Sequence, residues 1–317
     1  MTGTCRFDFA PLEGITDYTY RTAHSRFFPG VDRYYTPFIA VNETCSMKKR
    51  EQKDVAPEHN SGVVLVPQIL TNRAGPFVWA AKEMAARGWH TVNLNLGCPS
   101  PTVFTHGKGA GFLADPERLN AFFDEVFSHL PGGIGVSVKT RIGIRDTKEA
   151  AALIAVFRRY PISELIVHPR LREEFYKGEV HREVYRMFSE EYPGALTYNG
   201  DIGNAGDFAE IRTAFPGTER VMIGRGLIGN PALVRVLKGG KKADKKELRA
   251  FHDAVFEARL VALDGFGNTA GKMKEIWSYM GSLFISPEKQ LKRIRKAQTE
   301  LTYRAAVSEL FGSCQLR

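Results

Sequence analysis

A single cysteine, Cys98, stands between a strand-like run and a proline. The run VNLNLG begins at Val92 and alternates apolar with amide residues, and Gly97 and Pro99 flank the thiol. No regular element continues through these two residues, so Cys98 should lie on a loop at the end of a strand. A cysteine that only fills a core belongs inside an element, whereas loops are exposed and often carry function. Cys98 is therefore a candidate functional residue, and a small buried hydrophobe is the alternative.

Polar or titratable side chains follow most of the strand-like runs in the chain. If the strands are parallel, their carboxyl ends meet around one cavity, and core packing alone does not require polar groups there. The pattern therefore predicts a binding or catalytic site built from Pro11–Glu13, Gln68, Asn95 with Cys98, Lys139 with Arg141, His168 with Arg170, Asn199–Asp201 and Gly224–Arg225.

Two of these residues, Lys139 and His168, allow several chemical roles. A lysine with a buried stem at the cavity would stabilise a developing anion, form a Schiff base with a carbonyl substrate, or serve only as a structural cation. The histidine would contact a cofactor, transfer protons, or remain a hydrogen-bonded core residue. The sequence leaves these alternatives open.

Two glycine-rich turns follow the last two strand-like runs. The segments YNGDIGN and MIGRGLIGNP lead into helical segments. Loops at these places in barrels often bind phosphate, because glycines such as Gly200, Gly224 and Gly226 let backbone N–H groups approach its oxygens. Arg225 would add charge and a forked donor. The alternative is that these residues are ordinary turn glycines.

The spacing of the strand-like runs predicts the fold that must position these groups. Eight runs begin at residues 7, 34, 63, 92, 135, 164, 195 and 220, and helix-like stretches over 72–88, 115–130 and 147–160 lie between them. Asp115 followed by Pro116 is typical of a helix start. Strands that alternate with helices at this spacing form parallel sheets, and eight units indicate an α/β fold of the (β/α)8 TIM-barrel type.

The last quarter of the chain has a different pattern. After a charged linker, KKADKKE at 241–247, the apolar spacing from Leu248 onward predicts a small C-terminal helical bundle. We therefore divide the chain into a TIM-barrel domain over 1–240 and a helical domain over 241–317.

The C-terminal segment carries most of the excess positive charge. The chain has a net charge of +9, and residues 241–317 hold 15 Lys and Arg against 9 Asp and Glu, a net of +6. A basic surface concentrated in one module indicates a polyanionic partner, most often nucleic acid. A solvated face of the bundle is the alternative. Within KQLKRIRK, the residues that fall on one helical face are Lys289, Lys292, Arg293 and Lys296.

Composition argues against several other classes of protein. No apolar run reaches the length of a membrane span, and the N-terminal residues show no secretory signal. The four cysteines, at positions 5, 45, 98 and 314, form no CxxC pair, so neither a disulfide framework nor a metal site is expected. The expected setting is therefore cytoplasmic, with reduced thiols.

The strand-end motifs, taken in order, resemble those of the bacterial flavin-dependent tRNA-dihydrouridine synthases. NLGCP combined with VKTR and NGDI is the most specific part, and the basic tail is similar to the family's RNA-binding domain. The resemblance implies an FMN-binding catalytic barrel, an RNA-binding helical domain, and reduction of uridine to dihydrouridine in tRNA with NADPH. The motifs are APLEGITDYTYR, VPQIL, NLNLGCPSPTV, VSVKTRIG, VHPR, YNGDI and MIGRGLIGNP.

The same resemblance implies a role for each candidate residue. Cys98 would donate the proton to C5 of the uracil, with hydride arriving at C6 from the flavin. FMN would be held by Pro11, Leu12, Gln68, Lys139, His168, Asn199, Gly200, Asp201, Gly224 and Arg225. The base would be bound by Asn95, Arg141, Arg170 and Tyr176, and the rest of the RNA by Lys289, Lys292, Arg293 and Lys296.

Other functions remain open from the sequence alone. A barrel reductase of a free small molecule, similar to the dihydroorotate dehydrogenases, would use the same flavin site, and the RNA could be ribosomal. A Schiff-base lyase would use Lys139 without a flavin, and a catalytically inactive RNA-binding protein would need none of the strand-end groups. We expect a monomer that grips RNA with its own basic tail, without an obligate protein partner or a membrane.

Overall fold

Within residues 5–317, which the computed structural model describes, ten parallel strand segments form one sheet. The segments are β1 (Arg6–Phe9), β2 (Arg33–Tyr35), β3 (Ile39–Ala40), β4 (Leu65–Val66), β5 (Gln68–Leu70), β6 (Thr91–Leu96), β7 (Gly135–Arg141), β8 (Glu164–His168), β9 (Leu196–Tyr198) and β10 (Arg220–Ile223). They lie in the order β3-β5-β6-β7-β8-β9-β10-β1-β2-β4. Most strand residues are buried, as parallel strands covered by helices should be.

Two of the barrel strands are interrupted. β2 and β3 are separated by a short segment that contains Pro37, and β4 and β5 are separated only by Pro67. Because β2 pairs with β4 and β3 with β5, each couple continues one strand, and the ring of eight strands closes. Pro67 has no N–H for the ladder, and the next N–H, of Gln68, donates to the Thr36 hydroxyl at 2.9 Å. The predicted TIM barrel is confirmed.

Helices connect the strands on the outside of the barrel. The three helices predicted from the sequence are confirmed as α3, α5 and α6, each shorter than its predicted span. Among the helices of the described residues, none has the length and apolar character of a membrane span. The bounds are α1 (Tyr18–Phe27), α2 (Lys49–Asp54), α3 (Ala74–Ala86), α4 (Pro101–Thr105), α5 (Pro116–His129), α6 (Glu149–Phe157), α7 (Arg182–Glu191), α8 (Ala205–Ala214), α9 (Arg225–Gly229) and α10 (Leu233–Leu237).

Helix α5 shows how the local sequence determines one of these elements. The Asp115 carboxylate accepts a hydrogen bond from the Arg118 N–H at 3.0 Å, and Pro116 occupies the first turn. The cap satisfies one of the free donors of the helix start, where proline needs no N–H of its own. The buried residues of α5 recur at helical spacing and are Leu119, Phe122, Phe123 and Val126.

The predicted helical bundle consists of α11 (Lys245–Ala262), α12 (Phe266–Met280), α13 (Glu288–Lys296) and α14 (Glu300–Ser313). Its start differs from the prediction, because α11 begins inside the segment 241–247 that the sequence indicates as a linker. The reason is Asp244, whose carboxylate accepts a hydrogen bond from the Glu247 N–H at 2.8 Å and caps the helix. The lysines that follow are good helix formers, so the charged segment continues as helix.

The bundle is docked on the first βα unit of the barrel. Helix α11 packs against α1. Arg259, fully buried in this contact, donates to the Ile15 carbonyl and, at 3.3 Å, to the Thr19 hydroxyl. Lys272 on α12 donates to the Gly14 carbonyl at 3.2 Å. These contacts place α12 beside the loop that follows β1, at the carboxyl-terminal end of the barrel.

A buried ion-pair cluster lies at the opposite end of the barrel. Asp8 lies 2.6 Å from the Arg33 guanidinium and 2.7 Å from that of Arg220. Glu164 lies 2.6 Å from Arg33. Burial raises the pKa of Asp8, and the two arginines oppose this shift. A hollow of about 810 Å³ opens at this end, but its buried charges already pair with one another.

Replacing the α5 cap tests the local account of that helix. Asp115→Ala removes the acceptor for the Arg118 N–H, so we expect the free energy of unfolding to fall by about 1 kcal/mol. Asp115→Ser keeps a capping oxygen and should lose much less. Urea unfolding followed by circular dichroism measures both variants, and equal losses would contradict the capping role.

Candidate active site

A cavity of about 640 Å³ lies at the carboxyl-terminal ends of the barrel strands. Its walls come from the ends of the strands, from the loops that follow them and from one face of α12. The volume is typical of a pocket that encloses a cofactor or a comparable ligand. The cavity is therefore the candidate active site that the parallel topology predicts.

The cavity brings together most of the predicted site residues. Arg170 is different, because its side chain is buried behind the cavity wall. The four basic residues predicted for RNA, at 289, 292, 293 and 296, are exposed on α13 in the bundle. What each residue binds stays a prediction. Those lining the cavity are Pro11, Leu12, Gln68, Asn95, Cys98, Lys139, Arg141, His168, Tyr176, Asn199, Gly200, Asp201, Gly224 and Arg225.

Cys98 lies on a tight turn after β6. The Asn95 side-chain oxygen accepts hydrogen bonds from the Gly97 N–H at 3.0 Å and the Cys98 N–H at 2.9 Å. The turn therefore depends on an asparagine three residues before the thiol, and it leaves Cys98 partly exposed at the cavity. Burial raises the pKa of the thiol, while the charges of Arg141 and Lys139 act in the opposite direction. The thiol is protonated at neutral pH.

Lys139 lies near the end of β7, and His168 ends β8. The Lys139 side chain is partly exposed to the cavity, but burial of its ammonium, followed by the charge of Arg141, lowers its pKa from 10.5 to about 7. Burial and the surrounding cations also lower the pKa of His168 well below its usual value, so the imidazole is neutral. Arg170 Nη1 lies 3.3 Å from His168 Nε2. Because the guanidinium can only donate, this nitrogen of the ring is the acceptor.

Arg141 is held in place by backbone carbonyls. It is fully buried, and three of its five N–H groups donate to Gly97 O at 2.9 Å, Leu171 O at 2.8 Å and Phe175 O at 2.6 Å. Its Cζ lies 5.4 Å from the centre of the Tyr176 ring, and Arg225 Cζ lies 4.8 Å from the same ring. Tyr176 is therefore positioned between two cations at the cavity mouth, although 52% of it is exposed.

Asp201 connects two arginines at the glycine-rich end of the cavity. Its carboxylate lies 2.6 Å from the buried Arg170 and 2.6 Å from Arg225, which lines the cavity. Burial raises the pKa of Asp201, but the hydrogen bonds and charges of the two arginines outweigh it and lower the pKa overall. Because its oxygens already accept these bonds, Asp201 is suited to orienting Arg225. The buried Arg170 is suited to holding the Asp201 carboxylate, and through it the position of Arg225.

The glycines of these loops are required by close packing. A Cβ at Gly226, in the first turn of α9, would lie 2.1 Å from the Ile202 carbonyl oxygen, so only glycine lets the segment after β10 meet the loop after β9. A Cβ at Gly200 would lie 2.0 Å from the Tyr198 hydroxyl, which fills the space that a side chain would need. The two loops therefore approach each other and the cavity through their backbones.

The sequence analysis missed the cavity residues that come from the helical bundle. Glu275 and Tyr279 lie one helical turn apart on α12 and contribute to the cavity wall. Their spacing only indicates that they share a face of the helix. Nothing in the sequence shows that this face meets the barrel mouth, because that depends on the docking of Arg259 and Lys272. The bundle is therefore part of the candidate active site.

The fold and the cavity define a TIM-barrel enzyme with a thiol, cations and amides gathered at the strand ends. The family model described as Dihydrouridine synthase (Dus) matches residues 8–312. The chain belongs to the dihydrouridine synthase family, which confirms the resemblance seen in the motifs, and it is an oxidoreductase.

Several individual proteins are similar to the chain in sequence or in fold. A tRNA-dihydrouridine(16) synthase of Ralstonia nicotianae is 29% identical over 239 residues, which cover 74% of this chain and 73% of that protein. A protein of the same name from Cupriavidus necator is 27% identical over 317 residues, which cover 97% and 98%. Among solved structures, morphinone reductase has a similar fold, with a TM-score of 0.53 at 14% identity over 76% of this chain and 87% of that one.

The lowered pKa of Lys139 predicts a pH-dependent stability of the ligand-free protein. Between pH 7 and 10.5 the unfolded chain binds a proton that the folded chain does not, so stability rises with pH in this window. Lys139→Met removes this contribution. We therefore expect the unfolding free energy of the wild type, relative to Lys139→Met, to increase from pH 7 to pH 10.

Urea unfolding at a series of pH values measures this difference. Lys289→Met, at an exposed lysine of α13, is the matched control and should leave the pH dependence of the wild type unchanged. A constant difference between the wild type and Lys139→Met would contradict the lowered pKa.

Proposed function

We propose that the chain reduces uridine to 5,6-dihydrouridine in tRNA, with FMN as the bound cofactor and NADPH as the reductant. The observation that carries the proposal is the meeting of Cys98, Lys139 and Arg141 in one cavity that also contains Arg225 and the glycine-rich loops. The similar proteins of Ralstonia and Cupriavidus are named for position 16 of tRNA. We propose the same position for this chain.

The residues that line the cavity fit FMN. Arg225 and the closely packed loops at Gly200 and Gly226 suit a phosphate, which needs a cation and approachable backbone N–H groups. The Lys139 ammonium and the Gln68 amide suit the polar edge of a flavin ring, and an anionic partner would favour the protonated lysine. When bound, FMN would supply a hydride. Purified protein should therefore show the absorption spectrum of a flavin.

Cys98 would supply the proton for the other carbon of the reduced bond. The hydride goes to C6 of the uracil, and the thiol donates its proton to C5, so the two additions together saturate the C5–C6 bond. The raised pKa keeps the thiol protonated at neutral pH, which is the form that can donate. The positive charges of Arg141 and Lys139 would stabilise the thiolate that remains, until solvent returns a proton.

Arg141 and Asn95 would hold the base during the reaction. Hydride addition at C6 places negative charge on C5 and the O4 carbonyl, and a fixed cation stabilises such charge. Arg141 is fully buried, with three N–H groups on backbone carbonyls and the Tyr176 ring against its guanidinium, so it would act through its fixed charge in the cavity wall. Asn95 keeps one side-chain N–H beyond its bond to Gln68. This N–H group would donate to a uracil carbonyl.

The helical bundle would hold the rest of the RNA. Lys289, Lys292 and Lys296 are exposed on α13, and Arg293 on the same helix also pairs with Glu309. Cations of this kind position RNA through its phosphates. The target base must leave its stack to reach the cavity. We therefore propose 1–240 as the catalytic domain and 241–317 as the RNA-binding domain, while the cytoplasmic location and the monomeric state stay predictions.

Removal of the thiol tests the proposed reaction. Cys98→Ala should lower dihydrouridine formation at least about a hundredfold, because general-acid catalysis contributes that much or more. NADPH oxidation should continue, since the hydride does not come from the cysteine. Mass spectrometry of nucleosides from treated tRNA measures the product. Cys45→Ala, at another partly exposed loop cysteine, is the control. Wild-type product formation by Cys98→Ala would refute the proton-donor role.

Removal of charge on α13 tests the proposed RNA surface. The triple variant Lys289→Ala, Lys292→Ala and Lys296→Ala should weaken tRNA binding. It should also reduce the slope of log affinity against log salt by about 2 to 3, because each phosphate contact contributes about 0.7 to 0.9. Filter binding over a salt series measures both quantities.

The control variant for this surface removes the same charge elsewhere. Lys241, Lys242 and Lys246 are exposed near the start of the bundle, and their replacement by alanine should leave the slope close to that of the wild type. Equal losses in the two triple variants would show a general charge effect and contradict a specific surface on α13.

A further inference from the structure

A chain of hydrogen bonds runs through the barrel interior behind the cysteine turn. Asn95 Nδ2 donates to Gln68 Oε1 at 2.7 Å, and Gln68 Nε2 donates to Asn93 Oδ1 at 2.8 Å. Asn93 Nδ2 donates to Ser137 Oγ at 2.9 Å. The Ser137 hydroxyl in turn donates to the Val92 carbonyl at 3.2 Å. Every bond in the chain points in the same direction.

The backbone fixes this direction at both ends. At the loop end, the Gly97 and Cys98 N–H groups can only donate, so Asn95 must present its oxygen to them. At the far end, the Val92 carbonyl can only accept, so Ser137 must donate to it. If the side-chain amide of Gln68 or Asn93 flipped, its NH2 group would face the NH2 group of the preceding amide, and that hydrogen bond would be lost. The orientation of each amide therefore depends on all the others.

This chain of hydrogen bonds is sealed from solvent at its inner end. Asn93 and Ser137 are fully buried, and among residues 5–317 neither lines the cavity. Gln68 and Asn95 are buried too, but they reach the cavity wall. Since water cannot replace a lost partner in the interior, a broken bond would leave an unsatisfied polar group and a freely turning amide.

We propose that Asn93 and Ser137 are positioning residues that hold the Cys98 turn through Gln68 and Asn95. They touch neither the thiol nor the cavity. They act by fixing the direction in which the oxygen and the nitrogen of the Gln68 and Asn95 amides point. Because of this hydrogen-bond chain, the amide N–H groups of Gln68 and Asn95 face the cavity. This suits a ligand with carbonyl oxygens, a choice of ligand that rests on the proposed function.

Thiol reactivity tests the positioning without any reaction on RNA. Ser137→Ala and Asn93→Leu each break the chain, and the loosened turn should expose the thiol. We expect Cys98 alkylation by iodoacetamide, followed by mass spectrometry, to become about fivefold to tenfold faster, the factor that corresponds to losing one hydrogen bond. Ser137→Thr keeps the hydroxyl and should restore a rate close to that of the wild type.

Thr140→Val is the matched control for loss of a buried hydroxyl. Thr140 lies on β7 like Ser137 and is fully buried, but its hydroxyl bonds to the Arg141 carbonyl and not to the chain. Its alkylation rate should stay within about twofold of the wild type. Unchanged alkylation in both chain-breaking variants would overturn the proposal, as would an equal acceleration in Thr140→Val.

Turnover on tRNA separates this proposal from the proposed function. With the wild type active, Ser137→Ala should lower kcat about tenfold at little change in KM for tRNA, because the thiol is displaced while the RNA surface is intact. If alkylation responds as expected and even the wild type forms no dihydrouridine, the positioning stands and the proposed function fails. If the wild type is active and neither alkylation nor kcat responds, the positioning fails alone.

Discussion

The burial of several cations at one barrel mouth is the constraint that shapes this site. Lys139, Arg141 and Arg225 line the same cavity, and burial lowers the pKa of the first two. Part of this cost is offset by nearby acceptors, which are the backbone carbonyls around Arg141 and the carboxylate of Asp201 beside Arg225. An anionic ligand would complete the compensation, and the same cations would stabilise a thiolate at Cys98 if the thiol gave up its proton as proposed.

Much of the fold could be predicted because the relevant signals are local or follow from topology. Each barrel strand is a buried run with a turn signal after it, and the proline interruptions at Pro37 and Pro67 did not hide the two split strands. Once the strands are parallel, their ends must converge, so Lys139 and His168 were expected at one cavity although they are distant in sequence. The cap at Asp115 was readable because capping involves only neighbouring residues.

The parts that the sequence did not show depend on contacts between distant elements. Glu275 and Tyr279 reach the cavity only because the bundle docks on the first βα unit, and no periodicity encodes that orientation. The inward position of Arg170 depends on its pairing with Asp201. The resemblance implies that Asn95 contacts the base, and the structure adds that its oxygen already accepts from the Cys98 turn, which leaves this contact to its N–H side. Such competition for one atom is visible only in three dimensions.

The position of α12 has a consequence for which nucleotide of an RNA reaches the cavity. Helix α12 forms part of the cavity wall and packs against α13, the helix that carries the exposed basic residues. Lys272 of α12 also donates a hydrogen bond to the loop after β1. The distance between the basic residues of α13 and the Cys98 thiol is therefore fixed by continuous packing. An RNA bound at α13, as proposed, would offer the cavity only a base at that fixed distance, so selection of the uridine would need no reading of the RNA sequence.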